Sequence, residues 1–250
     1  MIPKKIHYCW FGRGPRPELA EKCIASWRKF LPDYEIIEWN EDNFDVRQTP
    51  YISAAYDARK FAFVSDFARF VILEREGGLY FDTDVEVIAP LDAIVAAGAF
   101  MGCERPWKKG MTPESLSVAP GLGLGVEAHH PLYKEIIDYY RGLTFENAEG
   151  AALPLSVVEH VTGILCRHGL RSTGEIQQVE GINIYPADYF CPISIDDFGL
   201  RTTPRTVSIH HYAASWKPRR HQLKRKLQRL LGPTVTSAII KLKDIVLRRK

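Results

Sequence analysis

Two aspartates separated by one residue, Asp82 and Asp84, directly follow a short apolar segment at residues 79–81 that we predict to be a buried strand. Two like charges at this spacing repel each other unless a cation lies between them, and hard divalent cations prefer oxygen ligands. In open α/β sheets, ligands bind beyond the carboxyl ends of the strands. The pair therefore predicts a metal site that also holds a phosphate-bearing ligand, while a solvated turn capped by two acids is the simpler alternative.

The elements that position this pair are predicted from the spacing of apolar residues. A strand at residues 5–11, a helix at 18–31 and a strand at 35–39 form a βαβ unit, which is typical of a parallel sheet covered by helices. A long helix at 54–76 then ends at Gly77-Gly78. We expect an α/β fold with a mostly parallel, Rossmann-like sheet. The other predicted elements are strands at 100–103, 182–185 and 207–211 and helices at 132–141 and 155–168.

Charge divides the chain into an acidic body and a basic tail. Residues 217–250 contain twelve Lys or Arg and one acid, a net charge of +11, so residues 1–216 sum to 3 minus 11, or −8. Apolar residues recur at helical spacing among the basic ones, which is typical of amphipathic helices that bind anionic membrane surfaces. We predict a catalytic domain at 1–216 and a membrane-binding tail at 217–250. The tail lacks a nucleic-acid reading motif, so we expect no nucleic-acid partner.

The cysteines and the apolar segments indicate the compartment. The five cysteines are scattered and contain no C-x-x-C pair, so we expect reduced thiols rather than a disulfide framework or a zinc site. Neither a signal-peptide apolar region nor an uninterrupted apolar run of membrane-spanning length is present. We therefore expect a cytoplasmic protein that is peripheral on the inner face of the plasma membrane.

A longer pattern surrounds the two aspartates. Residues 65–84 follow S-D-x-x-R-x(3)-L-x(3)-G-G-x-Y-x-D-x-D, which resembles the D-x-D sugar transferases of glycosyltransferase family 32. That group includes yeast mannosyltransferases and bacterial capsular polysaccharide transferases, and the clostridial glucosylating toxins are more distant. Residues 2–12 resemble the family's opening strand, and His210-His211 followed by Ser215-Trp216 resembles its closing motif.

The resemblance implies a GT-A fold and a retaining transfer from a nucleotide-diphosphate sugar, with a UDP-sugar favoured and with Mn²⁺ or Mg²⁺ as cofactor. The acceptor is expected to be a saccharide or a lipid-linked saccharide in capsular or other surface-glycan synthesis. The residues carried over as catalytic are Asp66, Arg69, Asp82 and Asp84. Those carried over as donor-binding are Trp10, Asp66, Arg69, Tyr80, Asp82, Ser215 and Trp216. The metal ligands expected are Asp82, Asp84 and His211.

The positions of some of these residues agree with such roles. Asp66 and Arg69 are three residues apart on one helical face, so both can point at one ligand, while an ion pair within the helix is the simpler alternative. Trp10 ends the first predicted strand, where an exposed indole can stack on a nucleobase. His210 and His211 lie on alternate faces of a strand, so one of them faces the cleft, and we favour His211.

Two other functions remain open from the sequence. The string around Asp82 also resembles the haloacid-dehalogenase pattern, with Asp82 as the nucleophile of a phosphatase and Asp196-Asp197 as its metal pair. A non-catalytic module that binds a membrane through its tail is the third possibility. The glycines at 121, 123 and 125 do not form a dinucleotide fingerprint, and we expect them to line the acceptor side within a long irregular loop at 104–125.

Overall fold

The computed structural model describes residues 1–145, 155–194 and 199–213. Several predictions fall outside these residues. They are the tail at 217–250, the Ser215-Trp216 part of the closing motif and the Asp196-Asp197 pair.

A central sheet of seven strands organises the described residues. The strands of this sheet are β1 (Lys5–Cys9), β2 (Glu35–Trp39), β3 (Gly78–Tyr80), β5 (Phe100–Gly102), β6 (Leu124–Val126), β7 (Gln177–Val179) and β8 (Ile182–Tyr185). Their order is β2-β1-β3-β6-β5-β8-β7. β1, β2, β3, β5 and β8 run in one direction, while β6 and β7 pair antiparallel to their neighbours. The predicted α/β fold with a mostly parallel sheet is therefore confirmed.

A second, two-stranded sheet lies in the described residues beside the first. It pairs β4 (Val85–Val87) antiparallel with β9 (Ser208–His210). β4 begins immediately after the two aspartates, so this small sheet brings the end of the described chain back to the Asp82-Asp84 segment. Residues 208–213 thereby become part of the candidate site.

The helices cover both faces of the large sheet. Their bounds are α1 (Glu18–Phe30), α2 (Pro50–Asp57), α3 (Phe61–Glu76), α4 (Asp92–Ala96), α5 (Pro131–Arg141), α6 (Val157–Arg167) and α7 (Ala187–Phe190). The prediction of one helix at 54–76 is wrong, because the chain breaks between α2 and α3. Arg59 has a left-handed backbone with φ of +55° at this break. No glycine or proline stands at residues 58–60, so the sequence carries none of the usual signals for the break.

Gly77 and Gly78 connect α3 to β3 as predicted. Both have positive φ, +61° and +102°, which glycine adopts without steric cost. A Cβ on Gly78 would lie 2.9 Å from the carbonyl oxygen of Lys5 in β1. The glycines therefore let β3 start directly against β1, and this close pairing sets where the chain leaves the sheet at Asp82.

The large sheet separates two hydrophobic clusters. Tyr80 packs with residues of α2, α3, α5 and α6, while Leu79 and Phe81 point to the other face and pack with residues of α1, including Trp27. Trp27 Nε1–H donates to the carbonyl oxygen of Val85 at 2.8 Å, so α1 fixes the start of β4. All five cysteines are free thiols, as predicted. None of the helices in the described ranges combines the length and the apolar character needed to cross a bilayer.

Candidate active site

Three potential metal ligands meet where β3 leaves the sheet. One donor atom each from Asp82, Asp84 and His210 lies within 4.8 Å of the others. His210 Nε2 is 3.2 Å from Asp84 Oδ1, and the second carboxylate oxygen of Asp84 accepts a hydrogen bond from the Ala213 N–H at 2.7 Å. The three side chains are only partly exposed, with Asp82 the most accessible. The predicted pair of aspartates therefore lies together with an imidazole.

The histidine in this cluster is His210, whereas the expected ligand is His211. His210 is paired with Val85 across the small sheet, and residues directly opposite each other share a face. His211 consequently lies on the opposite face, where its Nε2 is 2.8 Å from Glu86 Oε2. Lys22 Nζ, 3.0 Å from the same oxygen, completes that separate ion-pair group. Only one of the two histidines therefore joins the cluster, as expected for neighbouring residues on a strand.

In the absence of a metal, Asp84 and His210 stabilise each other's charged form. Burial alone would raise the pKa of Asp84, but the adjacent His210 charge and hydrogen bonds, including that from Ala213, lower it to about 2. Burial opposes the charged imidazole too, yet Asp84 raises the pKa of His210 well above its ordinary value. The pair is therefore ionic near neutral pH.

Arg69 links a third acidic residue, Asp66, to the cluster. Its Nη2 is 2.6 Å from Asp66 Oδ1 and 3.4 Å from Asp82 Oδ1, while its Nε–H donates to the Ser65 carbonyl at 3.1 Å. The Tyr80 hydroxyl donates to Asp82 Oδ1 at 3.1 Å, and the guanidinium lies 4.8 Å from the centre of the Tyr80 ring. Asp66 and Arg69 thus form an ion pair within α3, and Arg69 connects this pair to Asp82.

The same group contains a donor without a partner. Arg69 Nη1 is buried and has no hydrogen-bond acceptor among the described residues. The side chain as a whole is only 3% exposed. Asp66 is also buried, and this burial outweighs the Arg69 charge and raises the pKa of Asp66 to about 7. The Arg69 guanidinium is buried and has an unused N–H group, and the pKa of the neighbouring Asp66 carboxyl is close to neutral pH. Such a pair is suited to bind an anionic ligand that also carries hydroxyl groups.

Gly121 is a site residue that the sequence analysis assigned to the acceptor side. Its carbonyl oxygen accepts a hydrogen bond from the Asp82 N–H at 3.1 Å. A Cβ at this position would lie 2.0 Å from Asp82 Oδ2 and 3.4 Å from Arg69 Nη1. Gly121 therefore lies directly against the Asp82 carboxylate. The irregular loop predicted at 104–125 ends earlier than expected, since Leu124–Val126 forms β6 in the middle of the sheet. The sequence signal for this contact is the pair of glycines, Gly121 and Gly123, that precede β6.

Trp10 lies at the carboxyl end of β1, next to β3. It is half-buried, and its Nε1–H donates to the Gly14 carbonyl at 2.7 Å. The indole borders a cleft of about 390 Å³ whose other lining residues include Arg16, Glu38 and Asn40. This position keeps the predicted nucleobase-stacking role open, because the cleft is at the same edge of the sheet as the aspartates.

Comparison with known proteins agrees with this geometry. A family model described as a glycosyltransferase sugar-binding region containing a DXD motif matches residues 17–101. Residues 17–101 are therefore similar to a sugar-binding region of DXD glycosyltransferases. The match includes Asp66, Arg69 and both aspartates of the pair, and it confirms the resemblance that was based on residues 65–84.

Two curated proteins show the extent of the similarity. Inositol phosphoceramide mannosyltransferase 3 of Schizosaccharomyces pombe is 26% identical over 143 residues, which are 54% of this chain and 36% of that protein. Subversion of eukaryotic traffic protein A of Legionella pneumophila is 28% identical over 138 residues, 44% of this chain and 21% of that protein. The chain thus covers well under half the length of either relative.

Solved structures of glycosyltransferases are also similar. The PaToxG glycosyltransferase matches with a TM-score of 0.46 and 20% identity over 66% of this chain and 69% of that one. A glycosyltransferase involved in glycosylation of the major capsid of PBCV-1 matches with a TM-score of 0.47 and 11% identity over 89% of this chain and 98% of that one.

Proposed function

We propose that this protein is a retaining, metal-dependent glycosyltransferase that uses a nucleotide-diphosphate sugar, with a UDP-sugar favoured. The acceptor is a saccharide or a lipid-linked saccharide, and the product belongs to a capsular or other surface glycan. The observation that carries the proposal is the convergence of Asp82, Asp84 and His210 at the carboxyl end of β3, inside the DXD region.

The donor atoms of this cluster fit Mn²⁺ or Mg²⁺. Carboxylates are the preferred ligands of both ions, and an imidazole is better suited to Mn²⁺ than to Mg²⁺. Asp82, Asp84 and His210 would hold the ion, and the lack of a side chain at Gly121 leaves the Asp82 carboxylate accessible. When bound, the ion supplies Lewis-acid stabilisation of the negative charge that develops on the leaving diphosphate.

His210 has to release a proton before it can act as a ligand. Metals bind the neutral imidazole, whereas the ion pair with Asp84 favours the protonated form. Binding of an ion by these residues would therefore displace a proton from His210 and would replace its ion pair with Asp84. Metal affinity is expected to fall as the pH falls.

Arg69 and Asp66 supply the fixed contacts to the donor. The guanidinium is held in place by the Ser65 carbonyl and by Asp66, so its unused Nη1–H group is oriented before the ligand arrives. It can donate to a diphosphate or sugar oxygen, while the Asp66 carboxyl can bind a sugar hydroxyl. Tyr80 donates to Asp82 and keeps that carboxylate directed at the same point. Such preorganised groups lower the barrier without reorganising during the reaction.

The other assignments extend this proposal to residues and surfaces beyond the cluster. Trp10 would stack on the nucleobase, Ser215 and Trp216 would bind the donor, and the basic tail at 217–250 would attach the protein to the inner face of the plasma membrane. Their support is the family resemblance, together with the charge pattern of the tail. A cytoplasmic, membrane-peripheral location follows from these assignments.

A dehalogenase-type phosphatase is the competing enzyme class. Its nucleophilic aspartate normally follows the first strand of the domain, whereas Asp82 follows β3, after a complete βαβ unit. The family match also favours the transferase. A non-catalytic membrane module would not need the buried Arg69 group beside the aspartates.

A screen of nucleotide sugars tests the proposal. Thermal-shift measurements with and without Mn²⁺ should reveal one nucleotide sugar that raises Tm only when the ion is present, because a ligand that binds the native state stabilises it. Release of the nucleoside diphosphate from that sugar should follow. Asp82→Asn is the matched control for both measurements. If no nucleotide sugar binds or is cleaved, or if a phosphoaspartate forms at Asp82, the transferase assignment is rejected.

A further inference from the structure

A basic and apolar surface lies on loops outside the candidate active site. We call it the loop patch and define it by Arg105, Trp107, Lys108, Lys109, Arg171 and Ile176. Trp107 is 43% exposed and Ile176 is 46% exposed, which makes them two of the few large hydrophobic side chains at the surface of the described residues. Every residue from Arg105 to Gly110 is exposed.

The indole of Trp107 is held in place against the second loop of the patch. Its Nε1–H donates to Ser172 Oγ at 3.1 Å. A Cβ on Gly174 would lie 3.4 Å from Trp107 Cε3, so the ring packs closely over the Gly174 backbone. Since the N–H group already has an acceptor, the ring can enter a less polar environment without leaving a donor unpaired.

The charge of the loop patch is opposite to that of the body that carries it. Arg105, Lys109 and Arg171 have no ion-pair partner within ranges 1–145, 155–194 and 199–213. Glu175 is the exposed acid between Arg171 and Ile176. Four basic residues are thus grouped on a body, residues 1–216, whose net charge is −8. A tryptophan with neighbouring Lys and Arg is typical of surfaces that bind anionic bilayers.

The topology places the loop patch at the edge of the sheet where the aspartates lie. β5 runs in the same direction as β3, so the loop after β5 and the Asp82-Asp84 segment both leave at the carboxyl edge. β7 runs antiparallel to β8, which is parallel to β5, so the residues before β7 reach this edge as well. β5 is two positions from β3, roughly 10 Å at the usual strand spacing.

We propose that the loop patch is a membrane-docking surface: Trp107 and Ile176 enter the interface of an anionic bilayer, and Arg105, Lys109 and Arg171 bind its headgroups. Docking in this way turns the carboxyl edge of the sheet, with the Asp82 cluster, toward the lipid. The residues of this surface do not belong to the tail segment at 217–250, and the proposal does not depend on sugar transfer.

Binding of the full-length protein to vesicles tests whether the basic residues of the loop patch contact the bilayer. Vesicles of phosphatidylcholine with 25% phosphatidylglycerol should bind the wild type, and Arg105→Gln/Lys109→Gln should weaken binding about 25-fold, because each basic residue near an anionic surface contributes about fivefold. Arg28→Gln/Lys29→Gln removes the same charge from the exposed end of α1 and should change binding less than threefold. Equal losses in the two variants, or no vesicle binding by the wild type, would overturn the proposal.

Fluorescence quenching tests the position of Trp107 directly. Vesicles of the same charge that contain brominated phosphatidylcholine should quench part of the tryptophan emission of the wild type. The Trp107→Phe variant should still bind the vesicles, but this quenched part of the emission should be missing. Quenching that is unchanged in Trp107→Phe means that this ring is not in the bilayer. A change in the Trp107 emission on addition of a mannose oligosaccharide, with no quenching by the brominated vesicles, would overturn the proposal and assign the loop patch to saccharide binding. Neither readout requires a nucleotide sugar, so the outcome is independent of the proposed activity.

Discussion

Gly121→Ala is the sharpest test of the arrangement around Asp82. Gly121 does not have a positive φ, so its backbone accepts alanine without strain. The new methyl group, however, would lie 2.0 Å from Asp82 Oδ2. Ordinary non-bonded contacts are near 3.5 Å, so either the carboxylate or the glycine segment has to move by about 1 to 1.5 Å.

A displacement of this size has a large effect on catalysis. Misplacing a reacting or metal-binding group by about 1 Å costs about 100-fold in rate. We expect kcat/KM for nucleoside diphosphate release from the cognate nucleotide sugar to fall about 100-fold. The free energy of unfolding should change little, because the Asp82 side chain is partly exposed and can turn toward solvent.

Gly125→Ala is a matched control for this variant. Its Cβ would lie 2.1 Å from Phe100 Cε1, an equally severe overlap, but within the buried core. Overpacking of a core typically costs about 1 to 3 kcal/mol. Gly125→Ala should therefore lower Tm by several degrees and leave kcat/KM of the folded enzyme close to that of the wild type. Wild-type turnover by Gly121→Ala would refute the placement of Gly121 against the catalytic carboxylate.

Three further predictions concern single ionisable groups. Asp82→Asn should lower turnover about 100- to 1000-fold, yet calorimetry should find Tm unchanged or higher, since burial raises the pKa of Asp82 and disfavours its charge. In titration calorimetry with Mn²⁺ and UDP, His210→Gln should weaken Mn²⁺ binding at least tenfold and His211→Gln less than threefold; equal effects would contradict the assignment of His210. Burial lowers the pKa of His7 to about 4 against 6.5 in the unfolded chain, so stability is complete above pH 6.5 and falls by about 3 kcal/mol as the pH drops to 4. Urea unfolding of His7→Gln should lack that part of the pH dependence, whereas His129→Gln should keep it.

Local patterns in the sequence were sufficient for much of the fold. The helix at 18–31 and the strands at 35–39 and 182–185 match the structure closely, because each has an unbroken periodicity of apolar residues and a clear stop. The break between α2 and α3 was missed. The break depends on the left-handed backbone of Arg59, which tertiary packing tolerates. Glycine and proline, the residues that usually mark such a break, are absent at 58–60.

Some features of the candidate site could likewise be predicted from local sequence, and others required the tertiary structure. The sequence by itself determined the D-x-D pair after a strand and the spacing of three that places Asp66 and Arg69 on one helical face, because both depend on residues close together in the chain. Tertiary structure decided that His210 rather than His211 joins the aspartates, since the pairing of β9 with β4 sets which face each histidine occupies. It also decided that Gly121 lies against Asp82, through the antiparallel insertion of β6 beside β3. Both decisions depend on strand register between segments that are far apart in sequence, and a local pattern does not contain that register.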